Sequence, residues 1–199
     1  MRLFVAIELS GELRERAAAL VRRLAASGAP VNWVAPENVH LTLKFLGEVP
    51  EARLSEIEAA CARAAAATAP FAMRLRGTGA FPHAREPRVI WAGVEAPAAL
   101  ANLAARIEEE LVPLGFPREK RPFEPHVTLG RKKEKPPRRP PRPGREPARP
   151  GPDLTAALAK EAGFDGGEVE VRRFSLVQSQ LRREGPIYTT LKEFGLGSQ

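Results

Sequence analysis

The sequence predicts an α+β fold: an internally duplicated, two-lobed domain whose mainly antiparallel concave sheets and outer helices leave a central cleft carrying two His-x-Thr strands. Three observations predict it. The pattern His-apolar-Thr-apolar occurs twice, as His40-Leu41-Thr42-Leu43 and His126-Val127-Thr128-Leu129, using two of the chain's three histidines. An order of strand, helix, strand, helix, strand can be read in each half of the chain, about 1–80 and 86–199. The two histidines hold matching places in that order, because Val5 precedes His40 by 35 residues and Ile90 precedes His126 by 36.

The elements follow from hydrophobic periodicity. Arg2 to Leu9 is a strand-like apolar run, and after Ser10, a good N-cap, Leu13, Ala17, Leu20, Val21 and Leu24 recur at helical spacing. Val39 to Leu46 is the first His-x-Thr strand, Leu54, Ile57, Cys61 and Ala64 mark one face of a second helix, and Phe71 to Arg76 alternates as a strand. In the second half, Arg88 to Glu95 reads as an apolar strand. Leu100, Leu103, Ile107 and Leu111 line a helix, and the second His-x-Thr strand starts at His126. A short helix from about Leu154 to Ala162 and one strand from Glu168 to Gln178 complete the repeat, with Ile187 to Phe194 as an added strand. Trp33 and Trp91 are expected in the core.

Composition bounds the rest. A chain of 199 residues with 43% hydrophobic content builds one core, expected as a single domain of two pseudo-symmetric halves. The lone Cys61 has no intrachain partner and sits on the apolar side of its helix, which reads as a buried structural thiol. The first apolar run, Leu3 to Ile7, is too short for a signal peptide or a membrane span, so a cytoplasmic protein with no membrane partner is expected. The formal charge is +7, and the stretch from Arg131 to Asp153 holds nine Lys or Arg against three acids, together with eight of the twenty prolines. Residues 132–152 are therefore expected as an extended basic loop insertion. Such a loop suits a polyanion such as RNA, and equally a solvated surface.

On a strand, His and Thr two residues apart share one face while the apolar residues share the other. Three His and seven Thr in a chain of this length give about 0.1 His-x-Thr matches by chance, so two in equivalent places call for an explanation. Imidazole titrates near neutrality, so one histidine can remain a neutral base while its twin is protonated as an acid. Each Thr hydroxyl can donate to a non-bridging phosphate oxygen and hold phosphorus between the histidines. No carboxylate or thiol sits at ligand spacing beside either His, so no metal and no cofactor are expected. An internally duplicated chain also completes such a site as a monomer.

These residues resemble the two-histidine phosphoesterase superfamily, and within it the RNA 2',3'-cyclic phosphodiesterases also called 2'-5' RNA ligases. The resemblance is carried by Arg2 to Ile7, Trp33-Val34, Pro36 to Gly47, Arg88 to Val94, Pro125 to Arg131 and Gly185 to Tyr188. It implies metal-independent hydrolysis of RNA 2',3'-cyclic phosphate ends to a terminal 2'-phosphate. It gives His40 the part of proton donor to the leaving 3' oxygen and His126 that of the base activating water, with Thr42 and Thr128 on the phosphate. It also implies a weak reverse joining of tRNA halves through a 2'-5' linkage. The basic loop departs from the family pattern, and the resemblance implies nothing about it.

Three more residues are candidates for substrate binding. Arg131 follows the second motif and can contact a phosphate or remain a free surface charge. Phe45 and Tyr188 can pack on a base or ribose, or belong to the core. His83, in a turn-like stretch without a following Thr, is read as a rim residue. The competing function is an RNA-end-binding module with little turnover.

Overall fold

The computed structural model describes residues 1–96, 98–133, 154–182 and 185–197. The basic insertion beyond Lys133 therefore lies outside the described residues. Those residues form strands β1 (Arg2–Glu8), β2 (Val31–Trp33), β3 (His40–Glu48), β4 (Phe71–Phe81), β5 (Val89–Glu95), β6 (His126–Lys132), β7 (Asp165–Val171), β8 (Arg173–Arg182) and β9 (Gly185–Gly195). Helices α1 (Gly11–Ala25), α2 (Leu54–Ala66), α3 (Ala98–Leu111) and α4 (Leu154–Lys160) lie between them. The α+β class, the antiparallel pairing and the outer helices are as the sequence predicts.

The sheet is curled and continuous in the order β7-β4-β5-β6-β3-β1-β8-β9, with β2 added beside β6. Every pairing is antiparallel. At its middle, β3 and β6 meet through a single registered pair, Leu41 opposite Val127. Order and direction are symmetric about that pair: β3 answers β6, β1 answers β5, β8 answers β4 and β9 answers β7.

The strands do not stay within their own half of the sequence. β4 pairs with β5, while β8 pairs with β1, so each half of the chain lends a strand to the other lobe. The single strand expected over Glu168–Gln178 is in fact two. The chain breaks at Arg172; β7 closes on β4 at one end of the sheet, and β8 pairs with β1 near the other.

The helices cover one face of the sheet. Ser10 caps α1 as expected, accepting the Leu13 amide at 3.4 Å, and the helix turns Leu13, Ala17, Leu20 and Leu24 inward. These residues join Leu3, Val5 and Ile7 of β1, Leu41 and Leu43 of β3, and Val127 and Leu129 of β6 in one buried cluster. Cys61 lies in the same cluster, and burial pushes its thiol up to about 12, which fits an inert structural role. No helix among the described residues is long and apolar enough to cross a membrane.

The other face of the sheet is open, apart from a small patch of Phe4, Ala6 and Val177 with Tyr188 packed on it. Leu41 is fully buried where the two halves of the sheet join. Leu41→Ala should therefore cost about 2–5 kcal/mol of stability, the range for emptying a well-packed core position. Urea unfolding measures it, and a loss below about 1 kcal/mol would show that the junction does not hold the halves together.

Candidate active site

Because Leu41 and Val127 both point into the core, the residues on either side of them point to the open face. An antiparallel ladder continued from this pair sets His40 beside Thr128, and Thr42 beside His126. The two histidines are then diagonal neighbours, roughly 7–8 Å apart for such positions. A phosphorus with one oxygen on either side fits between them.

Each ring is held in the same way. His40 Nδ1 lies 2.7 Å from the carbonyl oxygen of Asn38, and His126 Nδ1 lies 2.7 Å from that of Glu124. A carbonyl only accepts, so Nδ1 carries the proton and donates it, and Nε2 is the nitrogen left for chemistry in both rings. Among the described residues, neither the Thr42 nor the Thr128 hydroxyl has a hydrogen-bond partner within the protein, so both are available to a ligand.

A β-bulge follows each motif at the same place. β1 pairs Ala6 with Thr42 and Val5 with Lys44, leaving Leu43 extra; β5 pairs Trp91 with Thr128 and Ile90 with Gly130, leaving Leu129 extra. The extra residue reverses the alternation beyond it. Lys44, which strict alternation would bring to the open face, is 3% exposed and donates from Nζ to Glu108 Oε1 at 2.7 Å and to the Pro117 carbonyl at 2.6 Å. Phe45 and Arg131, each five residues after its histidine, turn to the open face instead.

All three remaining candidates reach that face. The Phe45 ring lies 6.0 Å from Phe4, which stands 4.8 Å from His40. The Tyr188 ring meets His40 edge-on at 5.2 Å, and burial pushes its phenol above the ordinary value, against the pull of Arg131 and Arg2. His83 stays apart from the pair, its Nδ1 accepting the Glu86 amide. Trp91, expected in the core, is only half-buried: its neighbours Ile90 and Ala92 take the helix side, and its own ring packs 5.4 Å from Phe81. Phe81 in turn meets His126 edge-on at 5.0 Å. Trp33 packs half-buried against the core, as expected.

Although the two histidines match in position, their surroundings differ. Opposite His40 on β1 stands Glu8; opposite His126 on β5 stands Gly93. No side chain fits at Gly93, where a Cβ would lie 2.4 Å from the Arg76 carbonyl oxygen. Glu8 accepts the Thr190 hydroxyl at 2.7 Å and, with Phe4, Asn38, His40 and Tyr188, lines a small cavity of about 80 Å³. Burial lowers the His40 pKa from its ordinary value, the Asn38 carbonyl and Glu8 oppose that, and Arg131 adds to it. Sequence reasoning misses Glu8, yet it is the one carboxylate on the Phe4, Ala6, Glu8 side of an apolar strand. No three His, Cys, Asp or Glu side chains cluster among the described residues.

The family described as LigT like Phosphoesterase matches residues 7–91 and 93–188, each range containing one His-x-Thr motif. A curated Archaeoglobus fulgidus protein named RNA 2',3'-cyclic phosphodiesterase is 38% identical over 194 residues, covering 98% of this chain and 99% of its own. A crystal structure of a Thermus thermophilus protein superposes with a TM-score of 0.79 at 35% identity, covering 100% of both chains. The crystal structure of E. coli LigT complexed with 3'-AMP gives 0.71 at 29% identity, covering 98% of this chain and 97% of that one.

The surroundings of His40 make a prediction. With only three histidines in the chain, its ring can be followed by NMR titration. His40 should titrate below an ordinary imidazole; Glu8→Gln should lower it further by removing a favourable charge, and Arg131→Gln should raise it. Unmoved titration in both variants would show that neither group acts on the ring.

Proposed function

Since the chain belongs to the LigT-like phosphoesterase family, we propose that it hydrolyses RNA 2',3'-cyclic phosphate ends to 2'-phosphates with His40 as acid and His126 as base. The observation that carries this reading is the pair of imidazoles on one open face, each with Nδ1 bound to a carbonyl and, among the described residues, Nε2 unengaged, beside two Thr hydroxyls likewise without a partner there.

His126 Nε2 takes a proton from water as its oxygen attacks phosphorus. The bond from phosphorus to the 3' oxygen breaks, and the proton on His40 Nε2 passes to that oxygen, leaving the phosphate on the 2' oxygen. Thr42, Thr128 and Arg131 donate to the non-bridging oxygens, where negative charge gathers in the transition state. Phe45 and Tyr188 hold the base or ribose. None of these steps calls for a metal ion.

The difference between the two histidines supports the division of labour. An acid must hold its proton, and the carboxylate opposite it, Glu8, favours the charged ring. Burial works the other way in the free protein. An anionic phosphodiester bound at Nε2 would favour the protonated ring once more, so His40 is loaded when substrate arrives. With a 5' hydroxyl in place of water, the same groups would form a 2'-5' linkage, the weak joining reaction expected for tRNA halves. The competing reading, an RNA-end-binding module, predicts binding without turnover.

Replacing either histidine by Ala should lower kcat on a 2',3'-cyclic nucleotide by ~10²–10⁴, the range for a positioned general acid or base. Thr42→Ala and Thr128→Ala should each cost about 1.5–3 kcal/mol, the value of a hydrogen bond to a charged group. Near-normal turnover by both histidine variants in EDTA-treated protein would overturn the mechanism, and absence of turnover in the unmodified protein would favour the binding module.

A further inference from the structure

β3 does more than present His40 and Thr42. Past its bulge, Phe45 stands 56% exposed on the open face, an unusual position for a ring that size. Beside it, Lys44–Gly47 and Phe116–Arg121 bound a groove of about 640 Å³ that opens to solvent. An open groove, unlike a pocket that encloses its ligand, suits a chain that continues past the site.

The groove has a basic wall that is anchored from beneath. Glu108 Oε1 accepts both Lys44 Nζ, at 2.7 Å, and the Glu119 amide, at 2.9 Å, while Lys44 also donates to the Pro117 carbonyl. Burial opposes ionisation of Glu108, but these hydrogen bonds outweigh it and hold its carboxyl below the ordinary range. The segment bearing Arg118, Lys120 and Arg121 is thus pinned to the strand that carries the first catalytic histidine. Arg118 reaches Glu109 only at 3.9 Å, and among the described residues Lys120 and Arg121 make no ion pair.

We propose that Phe45 and the basic wall at Arg118, Lys120 and Arg121 form a track for the single-stranded RNA body whose cyclic phosphate end lies between the histidines. One base stacks on Phe45, and the backbone phosphates that follow lie along the cations. Aromatic stacking beside a cationic groove is how single strands are held without regard to sequence. The Phe4 ring, in contact with both His40 and Phe45, joins the reacting end to the track. The identity of the occupant rests on the proposed activity; the track itself can be tested apart from it.

The probe is a labelled RNA hexamer ending in a 2'-phosphate, bound to the full chain across a salt series. Lys120→Gln/Arg121→Gln should weaken binding about ten-fold at low salt and flatten the slope of log K against log salt by about 1.4, two phosphate contacts at about 0.7 each. Phe45→Ala should weaken binding by about ten-fold and leave the slope alone. Arg22→Gln/Lys160→Gln removes the same charge from exposed positions on α1 and α4, helices that do not line the groove, and should change neither. If the groove variants bind as the unmodified protein does, the track is overturned even when a cyclic mononucleotide is hydrolysed. If they lose the hexamer while the unmodified protein hydrolyses nothing, the track stands and the proposed activity falls. A silent Phe45→Ala, with polyglutamate competing as well as RNA at equal charge, would reduce the wall to a bare cation patch and also overturn the proposal.

Discussion

Leu41 and Val127 meet where β3 and β6 touch, and because both side chains are buried under the helices, the residues beside them are turned toward solvent. Two histidines and two threonines from distant parts of the chain thereby come to one face. No other registered pair joins the two strands among the described residues, so the site depends on this contact more than on any polar interaction within it. The carbonyls of Asn38 and Glu124 then settle which nitrogen of each ring is presented.

Repetition brings the two motifs together, and departures from repetition make their surroundings chemically unlike. At equivalent positions the first half has Glu8, Lys44 and Phe45, and the second has Gly93, Gly130 and Arg131. Lys44 fastens β3 to α3 and the basic wall. Gly130 stays bare because a Cβ there would run into Val31 and Trp33 of β2. Phe45 and Arg131 share a place in the bulged strands, so one motif ends in an aromatic surface and the other in a cation. A ligand with a base at one end and a phosphate in the middle suits that pairing.

Much of this arrangement can be read from residue order. Strict alternation in His40-Leu41-Thr42-Leu43 and its twin places both polar groups on one face, and Ser10 before a helical period starts α1. The bulges escape such a reading, because Leu43 and Leu129 look like ordinary core residues and only pairing with β1 and β5 shows that they are extra. Hence Phe45 and Arg131 can be suspected from their nearness to the motifs but not assigned a face. The break at Arg172 is hidden for a similar reason: the run from Glu168 to Gln178 is strand-like throughout, and which neighbour each part pairs with is decided by the sheet. Trp91 is misplaced by its sequence because a large aromatic in an apolar strand reads as core unless the opposite face is known to be a cleft wall.

The central claim is that the paired histidines cleave a cyclic phosphate on its 3' side using water. It is tested most directly by incubating the unmodified protein with a 2',3'-cyclic nucleotide in ¹⁸O-water containing EDTA and following the product by phosphorus NMR and mass. The account predicts a single 2'-phosphomonoester carrying one ¹⁸O. A 3'-phosphate, a mixture of the two isomers, or no product would contradict it.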